Sequence, residues 1–571
     1  MADSKVYKKT ASGSRSLLSN TMLGLVLAFF VAVSGGARAA DAAGTTYYLN
    51  TAGDDSNSGT SESSPWATME KVSALNLAPG DRVLLKGGQT FAGNLRLGAE
   101  DAGTAESPVV VGSYGEGRAA IRAGVGKGIG VYNAGGVEVR NLDVVGAGYA
   151  AGNRGSGIEF YNDLGGATKL AHILVENVEA SGFGNSGVLL GAWPQDGTKS
   201  GFTDVRIVNV SAHDNADAGI QTYGYSSPTA TGWAHANVYV GHCLAYDNKG
   251  IVNKGTNSGS GIVLGDVSGG TIERSVAHHN GENNNYNGGG PIGIWIWDSN
   301  RVTIQHNESY SNKTRTIDGG GFDLDGGVTN SVMQYNYSHD NAGAGYLLYQ
   351  YDGARPFHGN VVRYNISQND GRANLGGIHA GGGVADSEIY NNTVYIGPRA
   401  NGSLPPAAKA AGTRNVHFRN NLFNTTGGAP LVEIPSVQSG LRFQGNGYWS
   451  GGGAFRIKDR SATYDSIGAW RGATGQEKIG TANTGFRNDP RFFSPGGGGT
   501  VGDADRLSTL TAYQTKSGSP LIDAGLNLKS RFSLDPGAVD FAGSGTPQGA
   551  GYDVGAYESA GVSSATRNIA P

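Results

Sequence analysis

Two aspartates stand two residues apart in one strand-like segment, Gly321-Phe-Asp-Leu-Asp. Same-face neighbours on a strand lie about 6.5–7 Å apart, so Asp323 and Asp325 are predicted to be close together. That spacing is in or near the range of the paired carboxylates of glycoside hydrolases, where one is the acid and the other the base or nucleophile. It also suits two ligands of one calcium ion, with Asp298 and Asp318 as further oxygen ligands. A purely structural role at a solvated corner is the third alternative.

Aromatic residues recur at equivalent positions of the neighbouring segments. Trp295 and Trp297 come one segment earlier, Tyr349 one segment later, and Tyr223 further upstream. Flat aromatic rings with polar handles suit the apolar C–H faces of sugars. His379 falls in the same column as the first aspartate. We therefore predict that these side chains share one surface, where the aromatic residues bind substrate.

A repeat of about 30 residues aligns these positions. Each copy carries a first strand pattern such as Arg301-Val-Thr-Ile, a short polar signal, and a glycine followed by a second strand such as Gly293-Ile-Trp-Ile. A fixed period indicates stacked supersecondary units, and alternation with period two indicates strands. Helix-length patterns are lacking between the strands. The prediction is therefore an all-β fold, a right-handed parallel β-helix (solenoid) of about ten coils, with an N-terminal cap and an irregular C-terminal cap.

Asparagines form two columns in this repeat, and equivalent valines align with them. We expect the first column to be a buried ladder of amides that bond coil to coil, which satisfies polar groups inside the solenoid: Asn307, Asn336, Asn365, Asn392 and Asn421. The second is expected at a corner that requires left-handed backbone, which asparagine tolerates: Asn215, Asn248, Asn280, Asn312 and Asn341. The valine alignment makes Val302 and Val332 equivalent.

Composition and termini divide the chain into four parts. The formal net charge is −4 over 571 residues, without the basic clustering of a nucleic-acid-binding protein. Residues 1–39 have a basic start, an apolar run over 22–33 and the sequence Ala37-Arg-Ala, which is typical of a bacterial signal peptide cleaved near Ala39. An uncleaved membrane anchor is the alternative. After cleavage we expect a secreted or periplasmic monomer that does not contact the membrane.

The remaining boundaries follow the repeat. Residues 40–125 are predicted to form the N-terminal cap and the first coils, with a short helix that begins at Pro65. Residues 126–450 are predicted to form the parallel β-helix. Residues 451–571 lose the period and are predicted to form the C-terminal cap and tail.

Three segments carry a resemblance to a known superfamily. The opening Tyr48-Leu-Asn-Thr-Ala-Gly-Asp-Asp and the closing Ser519-Pro-Leu-Ile-Asp-Ala-Gly and Asp553-Val-Gly-Ala-Tyr-Glu, with the coil pattern between them, resemble the pectate-lyase-like β-helix proteins over about residues 45–560. The resemblance implies the parallel β-helix fold and a polysaccharide partner. That superfamily contains polysaccharide lyases, glycoside hydrolases, uronan epimerases and non-catalytic binders, and fold alone cannot choose among them.

The segment that starts at Asp318 also resembles the calcium-binding segment of family 9 polysaccharide lyases, with an insertion. This resemblance implies calcium and β-elimination on a uronate-containing glycan. The catalytic lysine of that family corresponds here to Leu347, so a base would have to come from Arg315, Lys313, Arg372 or His379. Calcium or arginine would neutralise the uronate carboxylate and so acidify the proton that the base removes.

These patterns predict an exported polysaccharide-cleaving enzyme. We favour a lyase on an acidic glycan, against a hydrolase that uses Asp323 and Asp325, or a non-catalytic glycan-binding or cell-surface structural protein. The predicted catalytic residues are Asp323, Asp325, His379 and Arg315. The predicted substrate-binding residues are Trp295, Trp297, Tyr349, Tyr223, Arg372 and Lys313. The predicted metal ligands are Asp298, Asp318, Asp323 and Asp325.

Overall fold

The computed structural model describes residues 44–561, so the predicted signal peptide lies outside the described residues. Strands make up about 40% of the structure and helices about 5%. Between residues 44 and 561, no helix has the length and apolar character needed to cross a membrane.

Two long sheets contain nearly all the strands. Sheet A has 24 strands: Thr46–Leu49, Arg82–Lys86, Thr90–Ala92, Val109–Tyr114, Ala119–Gly124, Val137–Gly146, Lys169–Ser181, Gly201–His213, His235–Gly241, Leu244–Tyr246, Val267–Glu273, Val276–His278, Asn300–Gln305, Glu308–Tyr310, Val332–Gln334, Tyr337–His339, Val361–Arg363, Ile366–Gln368, Ala385–Tyr390, Thr393–Ile396, Arg414–Arg419, Leu422–Thr425, Arg442–Gln444 and Gly447–Trp449. Sheet B has 14 strands: Leu95–Leu97, Ile129–Tyr132, Ile158–Asn162, Ser186–Ala192, Ala218–Tyr223, Ser260–Gly265, Ile292–Trp297, Gly320–Leu324, Tyr346–Tyr349, Ile378–Gly381, Ala408–Ala411, Val432–Ile434, Ile457–Asp459 and Ala462–Tyr464.

The remaining elements are short. A third sheet pairs Lys478–Ile479 with Ala482–Asn483. The α-helices are Met69–Ser73, Ile467–Thr474 and Leu528–Phe532, and the 3₁₀ helices are Ala99–Asp101 and Ala504–Thr509.

Successive coils stack in parallel register, which confirms the predicted parallel β-helix, with about 11 turns. In sheet B, Ile262 pairs with Ile294, which pairs with Phe322. These inward side chains are fully buried, and the apolar columns of both sheets form one continuous core along the solenoid. Burial of these columns, coil upon coil, supplies the main stabilisation of the fold.

The predicted valine alignment is wrong at one step. Val332 pairs with Thr303 rather than with Val302, and Met333 pairs with Ile304. Because side chains alternate between faces, a shift of one residue exchanges the inward and outward sets. Met333 is therefore the fully buried side chain of that strand, a position that an alignment of valines alone misses.

Both asparagine columns are hydrogen-bonded ladders inside the solenoid. The Asn307 amide donates to Asn336 Oδ1 at 3.0 Å, and the chain of bonds continues to Asn446. In the second column, Asn280 donates to Asn312 Oδ1 at 3.0 Å. The expected left-handed backbone is found one residue earlier, at positions such as His279 and Ser311. The corner is therefore made by the preceding residue, while the asparagine itself is buried and satisfies the interior.

The two ends differ from the predicted caps in detail. The N-terminal helix begins at Met69 rather than at Pro65. At the other end, Trp470 of the helix Ile467–Thr474 packs on Phe443 and joins the solenoid core. Residues 486–561 instead lie along the outer face of sheet A, where their apolar side chains cluster with Tyr337 and Leu422. The predicted C-terminal cap thus divides into a plug at the end and a long segment along one side.

Candidate active site

The outer face of sheet B carries the predicted site residues in two columns. In the first column, Trp295 pairs with Asp323, then Leu347 and His379 follow in successive coils. In the second column, Gly265 pairs with Trp297 and Tyr349 with Gly381, and Asp325 lies between these pairs, directly after the strand Gly320–Leu324. The repeat therefore places these positions over one another, as the sequence predicts.

A cavity of about 240 Å³ opens between this face and the loops beside it. It is lined by Asn287, Gly288, Gly289, Ile317, Asp318, Asp323, Asp325, Leu347, Tyr349, Tyr351, Leu375 and His379. Three carboxyl groups, two tyrosines and one imidazole thus converge on one small space. Among the described residues, those that line the cavity include no lysine and no arginine.

Asp325 is a partly accessible carboxyl group in the lining of the cavity. Its Oδ1 atom accepts a hydrogen bond from the Gly326 amide at 2.7 Å. Burial raises the pKa of Asp325 to about 7, and the nearby charge of Asp318 adds to this effect, while the Gly326 amide opposes it. A carboxyl group with this pKa can both give and take a proton near neutral pH.

Asp318 is the second carboxyl group that is partly accessible from the cavity. Its Oδ2 atom accepts a hydrogen bond from the Gly290 amide at 2.7 Å. Asn374 holds its backbone from the other side, because the Asn374 side chain accepts from the Asp318 amide and donates to the Asp318 carbonyl at 3.0 Å. Burial raises the pKa of Asp318, and the Gly290 amide opposes that rise.

Asp323 is the most buried of the three carboxyl groups. It is only 3% exposed, and its Oδ1 atom has no hydrogen-bond partner. Burial, together with the charges of Asp325 and Asp318, raises its pKa well above the usual range. Asp318 and Asp325 are partly exposed whereas Asp323 is buried, so the structure favours Asp318 and Asp325 over the predicted Asp323–Asp325 pair.

His379 borders the cavity two coils away from Asp323, which corresponds to about 10 Å along the solenoid. The side chain is 6% exposed and its Nδ1 atom has no hydrogen-bond partner. Burial lowers the pKa of His379 to about 4, with a further contribution from Lys409. The imidazole is therefore neutral near pH 7 and a weak base.

The aromatic residues divide between cavity and surroundings. Trp295, predicted to be an exposed platform, is 7% exposed, packs in an apolar cluster with Leu347 and donates its Nε1 hydrogen to Ser260 Oγ at 3.0 Å. Tyr349 lines the cavity and is 41% exposed. Tyr351 has the same exposure and was missed by sequence reasoning because it lies beyond the strand, where the repeat gives no signal.

Two further aromatic residues lie outside the cavity lining. Trp297 and Tyr223 are half-buried on the same face, at earlier coils.

The predicted cationic residues lie elsewhere. Arg315 donates to the Glu282 carbonyl and to the Asn283 side chain, and Lys313 lies 3.6 Å from the Glu282 carboxylate. Arg372 donates to backbone carbonyls that include Gly397 and Pro398. The three side chains fasten loops to one another and do not line the cavity, in contrast to the predicted catalytic role of Arg315 and the substrate-binding roles of Arg372 and Lys313.

The predicted set of four metal ligands does not assemble. Asp298 forms an ion pair with Arg355, lies 3.9 Å from Lys199 and does not line the cavity. Within residues 44–561, no group of three or more histidine, cysteine or acidic side chains has an arrangement that could hold a metal ion. Calcium binding by this protein therefore stays an untested prediction, without Asp298 as a ligand.

The segment 283–290, which lengthens the coil just before the strand Ile292–Trp297, forms one wall of the site. Its residues Asn287, Gly288 and Gly289 line the cavity, and the Gly290 amide binds Asp318. The sequence is compatible with either a tolerated loop insertion or a groove wall. The contacts indicate a wall, and its Gly290 amide also orients the Asp318 carboxyl group.

Comparison with known proteins yields one family match and one curated relative. Residues 200–394 match the family described as "Right handed beta helix region". A lacto-N-biosidase from Bifidobacterium longum subsp. longum is 27% identical over 477 aligned residues, which cover 66% of this chain. The chain spans only 29% of the length of that relative.

Solved structures give weaker likenesses. A GH136 lacto-N-biosidase from Eubacterium ramulus is 20% identical with a TM-score of 0.49, covering 70% of this chain and 67% of the other. A pectate lyase is 15% identical with a TM-score of 0.38, covering 90% of this chain and 97% of the other. The fold assignment accordingly depends on the strand register and the family match, not on these superpositions.

Proposed function

We propose that this protein is an exported glycoside hydrolase that cleaves a neutral glycan, with Asp325 as general acid and Asp318 as its partner carboxylate. The observation that carries the proposal is the pair of partly accessible carboxyl groups in one cavity, of which Asp325 has a pKa of about 7. The curated relative, named a lacto-N-biosidase, supports glycan cleavage by hydrolysis.

The two carboxyl groups have different environments, which is what such a mechanism requires. Asp325, protonated in a large fraction of molecules at neutral pH, donates its proton to the glycosidic oxygen as the bond breaks. Asp318, whose charge is stabilised by the Gly290 amide, either attacks the anomeric carbon or activates a water molecule. The exposed faces of Tyr349 and Tyr351 offer the sugar ring an apolar contact.

The surroundings favour hydrolysis over elimination. No lysine or arginine lines the cavity, so the lining offers no cation to neutralise the uronate carboxylate that elimination requires, and any ionised aspartate there would repel it. The one basic side chain in the lining, His379, has a pKa of about 4 and is a weak proton acceptor. A neutral sugar avoids both difficulties.

The test compares the purified protein with two variants on an aryl lacto-N-bioside and on neutral oligosaccharides. We expect Asp325→Asn and Asp318→Asn to reduce hydrolysis about 10²–10⁴-fold, the usual contribution of acid–base catalysis. Asn also tolerates the left-handed backbone at Asp318, whose φ is 63°. The matched control is Asp247→Asn, at a left-handed corner on another coil, which should retain full activity.

Product analysis separates the alternatives. A hydrolase releases reducing ends without ultraviolet-absorbing unsaturated ends, and its activity survives a calcium chelator. Unsaturated products from a uronate polymer, or activity lost with the chelator and restored by calcium, would support the lyase instead. Binding of a glycan without any product would support the non-catalytic alternative. The anomeric configuration of the first product shows whether Asp318 acts as nucleophile or as base.

A further inference from the structure

Aromatic side chains continue along sheet B far beyond the cavity. The second outward column runs through Tyr132, Tyr161, Gly191 and Tyr223, which pair in successive coils. It then passes Gly265, Trp297 and Asp325 to reach Tyr349. We call Tyr132, Tyr161, Tyr223, Trp297 and Tyr349 the aromatic stripe. The proposed acid Asp325 is itself a member of this column, so the stripe leads directly to the cavity.

Glycines between the aromatic residues give the rings room to lie along the face. A Cβ atom at Gly191 would come within 2.7 Å of the Tyr223 hydroxyl and 3.0 Å of the Tyr161 ring. At Gly265, a Cβ atom would overlap the Trp297 ring. The rings of Tyr223 and Trp297 therefore lie over the glycine of the preceding coil. An edge-on ring would not need that space, so the glycines point to rings that lie flat along the sheet.

The stripe begins in a second, larger depression at the N-terminal coils, which we call the N-terminal depression. Its volume is about 910 Å³, and its lining includes Arg96, Lys127, Tyr132, Glu159 and Tyr161. Tyr132 is 48% exposed, and its ring stacks on Tyr161 with a centroid distance of 6.0 Å.

The polar groups around these rings are held in place. The Tyr132 hydroxyl donates to Asp163, and Lys127 forms an ion pair with Glu159. The Glu159 carboxylate also accepts from Ser156 Oγ at 3.1 Å and is only 8% exposed. The depression thus combines the exposed ring face of Tyr132 with hydrogen-bond donors and acceptors that are held in place. It contains both positively and negatively charged groups.

We propose that the N-terminal depression is a distal binding site for the uncleaved part of a neutral oligosaccharide chain, which runs along the aromatic stripe to Asp325. The inference rests on the proposed function and adds the class of substrate, a chain of many sugars rather than a short glycoside. Tyr161 and Asp325 are separated by five coils, about 24 Å along the solenoid, so only a long glycan reaches both. The mixed charges of Arg96, Lys127 and Glu159 favour hydroxyl-rich neutral sugars over a polyanion.

The binding test uses the inactive Asp325→Asn protein, so that the probes stay intact. The probes are lacto-N-biose and a neutral decasaccharide that ends in a lacto-N-biose unit, measured by titration calorimetry. We expect the decasaccharide to bind at least tenfold more tightly than the disaccharide. Tyr132→Ala in the same background should remove most of that difference, while Tyr132→Phe, which keeps the ring, should retain it. The control Phe493→Ala removes an exposed aromatic ring on the opposite side of the solenoid and should change neither affinity.

Cleavage assays separate this inference from the proposed function. In the active protein, Tyr132→Ala should raise KM for the long probe and leave kcat and KM for the aryl lacto-N-bioside unchanged. Equal affinity for both probes, no measurable binding of either, or a length preference that survives Tyr132→Ala would overturn the distal site. Hydrolysis of the short substrate that still requires Asp325 would meanwhile leave the proposed function standing.

Discussion

The outer faces of the two sheets use aromatic columns in opposite ways. On sheet A, successive coils place His213, Tyr246, His278, Tyr310 and His339 in direct register, and their rings stack at centroid distances of 4.6–5.2 Å. On sheet B, Gly191, Gly265 and Asp325 separate three of the four successive pairs of rings in the aromatic stripe, and only Tyr132 and Tyr161 stack directly. Rings that stack on each other stabilise the coils, whereas rings that are separated by glycine keep one ring face free to contact a ligand.

The same contrast applies to the buried acidic groups. On sheet A, Glu308 accepts from the Val501 and Gly502 amides at 2.7 and 2.6 Å and from His339 at 3.2 Å, so its carboxylate fastens the C-terminal segment to the solenoid. On sheet B, Asp323 has an oxygen without a partner. A satisfied buried carboxylate serves the fold, while an unsatisfied cluster with raised pKa values is typical of a functional site.

The largest effect on stability that distinguishes the two faces is expected at Asp325. Its folded-state pKa of about 7 exceeds that of an unfolded aspartate, about 3.9. The folded state therefore holds this proton more tightly, and the resulting stability is fully present below pH 4 and lost as the pH rises through 7. Because the amide cannot ionise, Asp325→Asn should raise the free energy of unfolding at pH 8 by roughly 2–4 kcal/mol and change it little at pH 4.

Urea denaturation of both proteins at pH 4 and pH 8 measures this difference, with Asp247→Asn as control. An equal effect of Asp325→Asn at the two pH values would mean that Asp325 titrates normally in the folded protein, and the functional contrast between the faces would lose its main support.

Glu308→Ala, in contrast to Asp325→Asn, should lower the free energy of unfolding. The substitution leaves two amides and one imidazole without their acceptor in a fully buried place, and should lower the free energy of unfolding by about 3 kcal/mol. Hydrolysis of short substrates by the folded variant should be unchanged, because the cavity is on the other sheet. Glu176→Ala, which removes a solvent-exposed ion pair with Arg140, is the control and should cost at most about 1 kcal/mol. A loss of activity without a loss of stability would contradict the structural role of Glu308.

The smallest effects are expected for a pair of tyrosines, one from each face. Tyr310 lies between two stacked rings, each at 4.8 Å, so Tyr310→Ala should lower the free energy of unfolding by about 1–2 kcal/mol and spare activity. Tyr349 is 41% exposed, so Tyr349→Ala should change stability by less than about 0.5 kcal/mol and reduce turnover. Thermal unfolding and initial rates on the aryl substrate check both variants, and the reverse pattern would show that the faces have been assigned the wrong roles.

The position of a residue could be predicted from the sequence only where that residue belongs to the repeat. The columns through Asp323, Leu347 and His379 were predictable because parallel register places equivalent residues over one another. The pairing of Val302 with Val332 was predicted wrongly because the true register differs by one residue. A difference of one residue is within the normal variation of the repeat length, so the sequence does not reveal it. The cations Arg315 and Arg372 were misplaced because long side chains on loops follow loop packing, which the period does not report.

The amino-acid pattern by itself determined the solenoid, its first asparagine ladder and the column in which Asp323 lies, since periodic burial and coil-to-coil hydrogen bonds are local and repetitive. Only the tertiary structure decided which carboxyl groups face a cavity. The loops that carry Gly290 and Asn374 hold Asp318 in the same cavity as Asp325, and their placement depends on contacts between residues far apart in the chain. The accessibility and the pKa values of these carboxyl groups depend on how the loops bury them. Packing, rather than the spacing of residues in the sequence, therefore determines the chemistry of this face of sheet B.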